Sequence, residues 1–355
     1  VNTGTAVDLN LNSADSAPQA ASPTLSHLRI SISSCRRSSA LIALSIFLFD
    51  SLLFVVGQML VLHRGVLGFT SGCLLTSLGI VRLFIVGHDA CHGSLTSRPW
   101  LNKVIGRLAF CPSLTAYSLW HAGHNVLHHG FNNLKGRDFV WVPISPAEYK
   151  SLPLTKRWTY RLYRSMWGAG FYYFFVIWLK RLWFPTQSVA NAKRKEFFWD
   201  SCFTTAFAAC WLAWLIIGAG ATRQRPTQAV LFGIIVPYIL WTWTMGTVVY
   251  LHHTGRTIVW FNSKQDWRRY QAPINGTATF NGGRVLGFLF HYIFDHQAHH
   301  LDPAIPLYRL RRAQKILQSA IPGEREAISF RHYLTTIKNC KLYDFDKQCW
   351  ERFPQ

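Results

Sequence analysis

The sequence predicts an all-α integral-membrane fold, with four helices crossing the bilayer as two hairpins and the polar segments gathered on one side. Three observations predict it. Half of the 355 residues are apolar and only 15% are charged, where a soluble protein carries about a quarter. Four apolar runs, 39–62, 66–87, 197–221 and 228–251, are each long enough to span a hydrocarbon core of about 30 Å. Of the 37 Lys and Arg, 33 fall in the N-terminal segment, the central region 88–196 and the segment 252–355, against three in the two short links. That asymmetry assigns the N-terminus, the central region and the C-terminal segment to the cytoplasm.

The elements follow in order. Residues 1–28 are rich in Ser, Ala, Thr and Asn without apolar periodicity and read as a disordered tail, extended to residue 38 as the boundary of the membrane domain 39–355. Arg36 and Arg37 precede the first span, whose only charge is Asp50. Its length and the lack of a small-residue cleavage site favour a retained span over a signal peptide. His63, Arg64 and Gly65 link it to the second span, which contains Arg82. In the polar region that follows, the aromatic stretch Trp167–Phe184 carries Lys180 and Arg181 and reads as an interfacial helix. A link holding Arg223, Arg225 and Pro226 joins the third and fourth spans, and 252–355 completes a cytoplasmic cap with 88–196.

The net charge of +21 raises nucleic acid as a partner, but a nucleic-acid binder gathers its cations on one face or tail, and here they are spread between the spans. The eight cysteines form no CxxC pair, which argues against thiol metal sites, redox pairs or a disulfide framework.

Eight of the fifteen histidines fall into three groups on the predicted cytoplasmic side. They are His88 and His92, then His124, His128 and His129, then His296, His299 and His300. Helix positions i and i+3 or i+4 share a face about 5–6 Å apart. His88 with His92, His124 with His128, and His296 with His299 and His300 can therefore each point at a common centre. Neutral imidazole ligates iron, zinc and copper. Eight are too many for one four-coordinate zinc and suit two metal ions with room for oxygen or water. A lone HxxxH pair is weak evidence. Three groups beside a membrane core, where ionisable residues are costly, are strong evidence.

These motifs resemble the three histidine boxes of the membrane fatty acid desaturases, over residues from about 40 to 353, and most resemble the bacterial and cyanobacterial acyl-lipid Δ12 (omega-6) group. Supporting segments are the run Gly87-His-Asp-Ala-Cys-His-Gly-Ser, Trp120 four residues before the second box, and Leu251-His-His-Thr. Others are Asn275-Gly-Thr, the run from His299 to Arg311 and Cys340-Lys-Leu-Tyr-Asp. The second box departs from many relatives, with three residues rather than two between His124 and His128. Both spacings occur among related hydroxylases and ketolases, which leaves reaction type more open than metal binding.

The resemblance implies two transmembrane hairpins under a cytoplasmic helical cap holding two iron ions. With dioxygen and two external electrons, such a site inserts a cis double bond into a lipid-linked acyl chain. It implies the eight box histidines as iron ligands, with His253 as a ninth and His252 as the competing choice. His291 enters as a ligand or near neighbour, although five residues from His296 it lies off that face. Asp89 and Asp295 adjoin box histidines and either accept a ring N–H or serve as a cap or solvated carboxylate. His121 reads as a surface histidine. Asp50 and Arg82 are functional candidates by their place in spans. Asn275-Gly-Thr matches a glycosylation acceptor but reads as a turn on the cytoplasmic side.

No electron-transfer domain is visible in the sequence, so electrons are expected from a separate carrier, a ferredoxin, docking on the basic surface. The expected location is a bacterial inner membrane. The nearest rivals are a hydroxylase, ketolase or acetylenase with the same iron site. A haem-carrying electron-transfer protein needs histidines on facing spans, and a transporter needs ligands near mid-membrane; the histidine groups here lie outside the spans.

Overall fold

In the computed structural model, which describes residues 24–354 apart from 64, 185–193, 270–271, 322–325 and 328, four helices are long and apolar enough to cross a membrane. They are Ala40–Val61, Val66–His92, Lys195–Ala221 and Pro226–His253. They coincide with the expected runs, but the second and fourth do not stop where apolarity ends. The second continues about a turn into the polar side, carrying His88 and His92, and the fourth continues two residues, carrying His252 and His253. Nothing in either stretch breaks a helix. The second ends only at Gly93, whose φ of +75° is the left-handed conformation that glycine adopts readily at helix ends.

In chain order, α1 (Leu25–Ile32), α2 (Ala40–Val61), α3 (Val66–Cys91) and α4 (Pro99–Phe110) are followed by α5 (Tyr117–Trp120), which runs on as a π-helix over His121–His128. Next come α6 (Pro146–Ser151), α7 (Leu154–Tyr163) and α8 (Gly168–Tyr172), with a π-helical turn Tyr173–Trp178 leading into α9 (Leu179–Arg181). The third long helix is α10 (Arg194–Ala221); the fourth is α11 (Pro226–Val230), the π-turn Leu231–Ile235 and α12 (Val236–His253). Short helices α13 (Lys264–Arg269), α14 (Ala272–Asn275) and α15 (Gly283–Leu289) lead to α16 (His296–Leu301), α17 (Leu307–Ala320) and α18 (Phe330–Asn339). Two small sheets qualify the all-α expectation: Phe280–Asn281 pairs in parallel with Glu326–Ala327, and Leu342–Asp344 pairs antiparallel with Cys349–Glu351.

Helices α2 and α3 lie antiparallel along a seam of small residues. A Cβ at Gly57 would stand 2.6 Å from the Thr76 backbone, and one at Gly72 would stand 2.6 Å from that of Val61, so only glycine permits this approach. Between the long helices sits a buried amide. Gln58 Nε2 donates to the Gly233 carbonyl at 2.9 Å and to Thr76 Oγ1 at 3.1 Å, while its Oε1 accepts from Trp211 Nε1 at 2.7 Å. One side chain thus joins all four long helices. Gln58→Leu strands the Trp211 N–H and the Gly233 carbonyl and is expected to cost about 2 kcal/mol. The melting temperature of the protein in detergent should fall, and an unchanged melt would show that these bonds contribute nothing net.

Facing outward, α2 and α10 leave most of their apolar side chains uncovered. Leu41 and Leu52 of α2 and Ile217 of α10 are exposed, a surface suited to lipid and not to water. The stretch Trp167–Phe184 is helical over Gly168–Arg181 and two-faced: Phe171, Phe175 and Leu179 face out, while Tyr173, Ile177 and Trp178 are buried in the main core with Trp241.

The tail expectation is corrected in part. Residues 1–23 lie outside the described residues, but Leu25–Ile32 is a helix whose N-terminus the Thr24 hydroxyl caps. It buries Leu28 and Ile32, with Cys35, against Leu310, Ala313 and Leu317 of α17. Arg29 donates to the Leu301 carbonyl at 2.9 Å, and Arg36 pairs with Asp302 at 2.7 Å. The spacing Leu28, Ile32, Cys35 is an amphipathic period hidden within a Ser-rich composition.

Candidate metal centre

Four backbone segments deliver the histidines to one place. The end of α3 supplies His88 and His92, the π-helix after α5 supplies His124, His128 and His129, and α16 supplies His296, His299 and His300; the end of α12 adds His252 and His253. Their ring nitrogens sort into two groups, in each of which all ligand atoms lie within 4.8 Å of one another: His88, His92, His124, His129 and His299 in the first, His128, His253 and His300 in the second. His296 joins the second through its Nε2, 3.2 Å from His253 Nε2, with its ring 4.5 Å from that of His300. The groups adjoin where the rings of His129 and His300 stack at 4.2 Å.

This division corrects the assumption of one centre for each box. His88 and His92 stay together as expected, and so do His296 and His300. In the second box the helix is π, closed by the bond from His129 N to the His124 carbonyl at 2.9 Å. An i→i+5 repeat aligns His124 with His129, and their Nε2 atoms stand 3.1 Å apart. His128 turns to the other group. In the third box, His299 and His300 diverge because adjacent positions on a helix do not face each other.

Most of the donors are buried, with His92 and His129 half-buried. Burial first, then neighbouring imidazoles, holds His124, His129, His296, His299 and His300 well below the usual imidazole range, leaving lone pairs free for a metal. Nε2 faces Nε2 at 2.9 Å between His88 and His124 and at 3.1 Å between His299 and His129. Nδ1 of His129, His296 and His299 and Nε2 of His92, His252 and His300 are buried without a partner. A neutral imidazole has one N–H and one lone pair, so facing nitrogens cannot all be satisfied by sharing protons. Cations between them would accept the surplus lone pairs, and the donor set fits metal ions ligated by nitrogen.

Two carboxylates hold histidines of these groups in place. Asp89 Oδ1 lies 3.2 Å from His88 Nδ1, and its other oxygen accepts from the Leu307 N–H. Asp138 Oδ1 lies 2.9 Å from His128 Nδ1 and 3.0 Å from the Val140 N–H, while Oδ2 accepts from Asn133 N–H at 2.9 Å. Asp89 was named on sequence and Asp138 was missed. It sits ten residues beyond its histidine, across a loop that no helical period spans.

The other candidates lie elsewhere. His252 is in neither group; its ring stacks on that of His296 at 3.8 Å. His291, expected as a ligand or neighbour, instead bonds Asp50 at 2.6 Å, because left-handed backbone at His291 and Tyr292 turns its ring toward α2. Asp295 is buried at the N-cap position of α16, and its carboxylate does not cap the helix. His121 is exposed on an open cleft that also reaches His92 and is edged by Arg36, Lys103 and Glu196. On another side, a small cavity meets His124, His128, His253 and His296 and is otherwise apolar, walled by Trp120, Phe139, Tyr173 and Val249.

Residues 65–332 match the sequence profile of the fatty acid desaturase family. The chain is 28% identical to the chloroplastic omega-6 fatty acid desaturase of Glycine max, over 77% of this chain and 62% of that protein. It is 27% identical to the sn-1 oleoyl-lipid 12-desaturase of Arthrospira platensis, over 70% of this chain and 68% of that protein. It is 28% identical to the sn-1 acyl-lipid omega-3 desaturase (ferredoxin) of a Nostoc species, over 66% of this chain and 63% of that protein. The chain therefore spans less than two thirds of the length of the soybean and Nostoc relatives.

Proposed function

This chain belongs to the fatty acid desaturase family, and we propose that it is the membrane enzyme inserting a cis double bond into a lipid-linked acyl chain, of the Δ12 (omega-6) type. The observation that carries the reading is the sorting of nine imidazoles, seven buried and two half-buried, into adjacent groups of five and four beside a small, largely apolar cavity. The relatives named as oleoyl-lipid 12-desaturases and omega-6 desaturases support the bond position.

His88, His92, His124, His129 and His299 would hold one iron, and His128, His253, His296 and His300 the other. When bound, the two ions supply activation of dioxygen, which with two electrons, two protons and two chain hydrogens ends as two waters. The chain's own residues do the rest. Neutral imidazoles leave the positive charge of the irons uncancelled, and Asp89 and Asp138 fix the tautomers of His88 and His128. Trp120, Phe139, Tyr173 and Val249 give the acyl segment an apolar wall and exclude water from the reacting carbons. The open cleft at His92 offers an approach for small polar species, away from that wall.

In this reading the long helices form two transmembrane hairpins in a bacterial inner membrane, with the cap, both described ends and the site on the cytoplasmic side. The distribution of Lys and Arg supports that orientation, and the same basic face suits an acidic electron carrier. The Nostoc relative is named with ferredoxin, and ferredoxin is the donor proposed here. The test is expression in a bacterium lacking polyunsaturated lipids, with fatty-acid profiling and metal analysis of the purified chain. A new dienoic lipid and close to two irons per chain are expected. Hydroxylated, oxo or acetylenic products would keep the site and change the reaction; haem, or a chain without metal, would overturn the reading.

A further inference from the structure

Three ionisable side chains stand apart from the histidine groups, within the apolar part of the molecule: Asp50 of α2, Arg82 of α3 and His291 just after α15. All three are buried. Asp50 Oδ1 accepts from Arg82 Nε at 2.6 Å, Asp50 Oδ2 lies 2.6 Å from His291 Nε2, and an Arg82 terminal nitrogen donates to the Phe288 carbonyl. The Arg82 guanidinium also lies over the Phe288 ring, 4.7 Å from its centroid. Burying these groups is costly even when they are paired, and apolar residues could fill the space. What apolar residues could not do is bind a particular turn to two particular helices.

That turn leads directly to the third histidine box. His291 and Tyr292 have φ of 48° and 56°, left-handed backbone that two successive L-residues adopt only when held there. Tyr292 N–H donates to the Gly287 carbonyl at 2.7 Å, and its ring lies so close to Gly287 that a Cβ there would stand 2.3 Å away. Asp295 N–H then returns to the Tyr292 carbonyl at 2.9 Å, and α16 starts at the next residue. At the other end, Arg82 lies six residues before His88 on the same helix, a rise of about 9 Å.

We propose that Asp50, Arg82 and His291 are positioning residues, a brace that fixes α16 relative to α3. His299 shares the first nitrogen group with His88 and His92, while His300 belongs to the second. Sliding α16 therefore alters both groups at once, and the brace sets their geometry. What is positioned rests on the metal-site reading above; that the segment is held rests on the contacts alone.

The test uses the full chain in detergent, with iron content, the Mössbauer spectrum of the bound iron and hydrogen exchange as readouts. His291→Leu removes the bond to Asp50 and leaves the Asp50–Arg82 pair intact. His291→Gln restores a donor. Asp50→Ala alone strands Arg82 and invites misfolding, so the companion is Asp50→Leu with Arg82→Met, which removes both charges together. In His291→Leu and in the double variant, amides of 290–301 are expected to exchange about tenfold faster, while those in the middle of α3 do not change. Bound iron should fall about twofold or more with an altered spectrum, and His291→Gln should recover both. Wild-type exchange over 290–301 together with an unaltered iron spectrum, in either variant, would overturn the brace. A wild-type chain that holds no metal would sink the metal reading, and the exchange data would still decide the brace.

Discussion

A His299→Ala chain is expected to fold, to lose the metal of the first group and to make no measurable product, a loss on the order of a thousandfold or more. Its Nε2 stands 3.1 Å from that of His129, and its ring lies 4.6 Å from that of His88 and 4.9 Å from that of His92, so it closes the five-nitrogen group. Mutating residues that merely support a ligand costs about 10–100-fold, and deleting a ligand should cost more. The second group keeps His128, His253, His296 and His300, so about half the bound metal should remain. His252→Ala is the contrast. That ring is equally buried and stacks on His296, but its nitrogens enter neither group, and its loss is expected to reduce activity by about tenfold or less. Metal analysis and fatty-acid profiles of the two variants check both expectations. Equal losses would mean that burial among histidines, rather than the grouping of nitrogens, is what matters.

The same contrast explains what was legible in the sequence. Hydropathy located the four long helices because a membrane-length apolar run has few alternative readings. The eight box histidines were legible because helical spacing keeps each box local. Which histidine belongs with which was not legible. That depends on the π-helix at His121–His128, and nothing in the run His-Ala-Gly-His-Asn-Val-Leu-His marks it as π rather than α. The pairing of His128 with His253 and His300 crosses from one segment to two others, a tertiary fact with no local pattern. The destination of His291 was hidden for a related reason. Its partner lies 241 residues away in α2, and only the left-handed turn at His291 and Tyr292 brings the two together. Asp50 and Arg82 were singled out as charges inside spans, but their common partner could not be read from position alone.

Asp138 gives the second large effect. Asp138→Ala is expected to lower product formation by about 10–100-fold and to deplete metal selectively from the second group. The carboxylate receives three N–H groups with two oxygens: His128 Nδ1 and Val140 N on one, Asn133 N on the other. It therefore holds His128 in one tautomer with Nε2 free for a metal, and it ties down a loop in which Asn133 has a φ of 59°. Alanine releases both. Asp138→Asn is the sharper experiment, because it keeps the shape and removes the charge. An amide has one accepting oxygen and one donating nitrogen. Whichever way it lies, its NH2 must face one of the donors now bound, either Asn133 N–H or the pair from His128 and Val140. Asparagine is therefore expected to fall nearly as far as alanine, in activity and in metal content alike. Wild-type behaviour in Asp138→Asn would mean that His128 is held in place by packing against its neighbours, and that the carboxylate contributes only its volume.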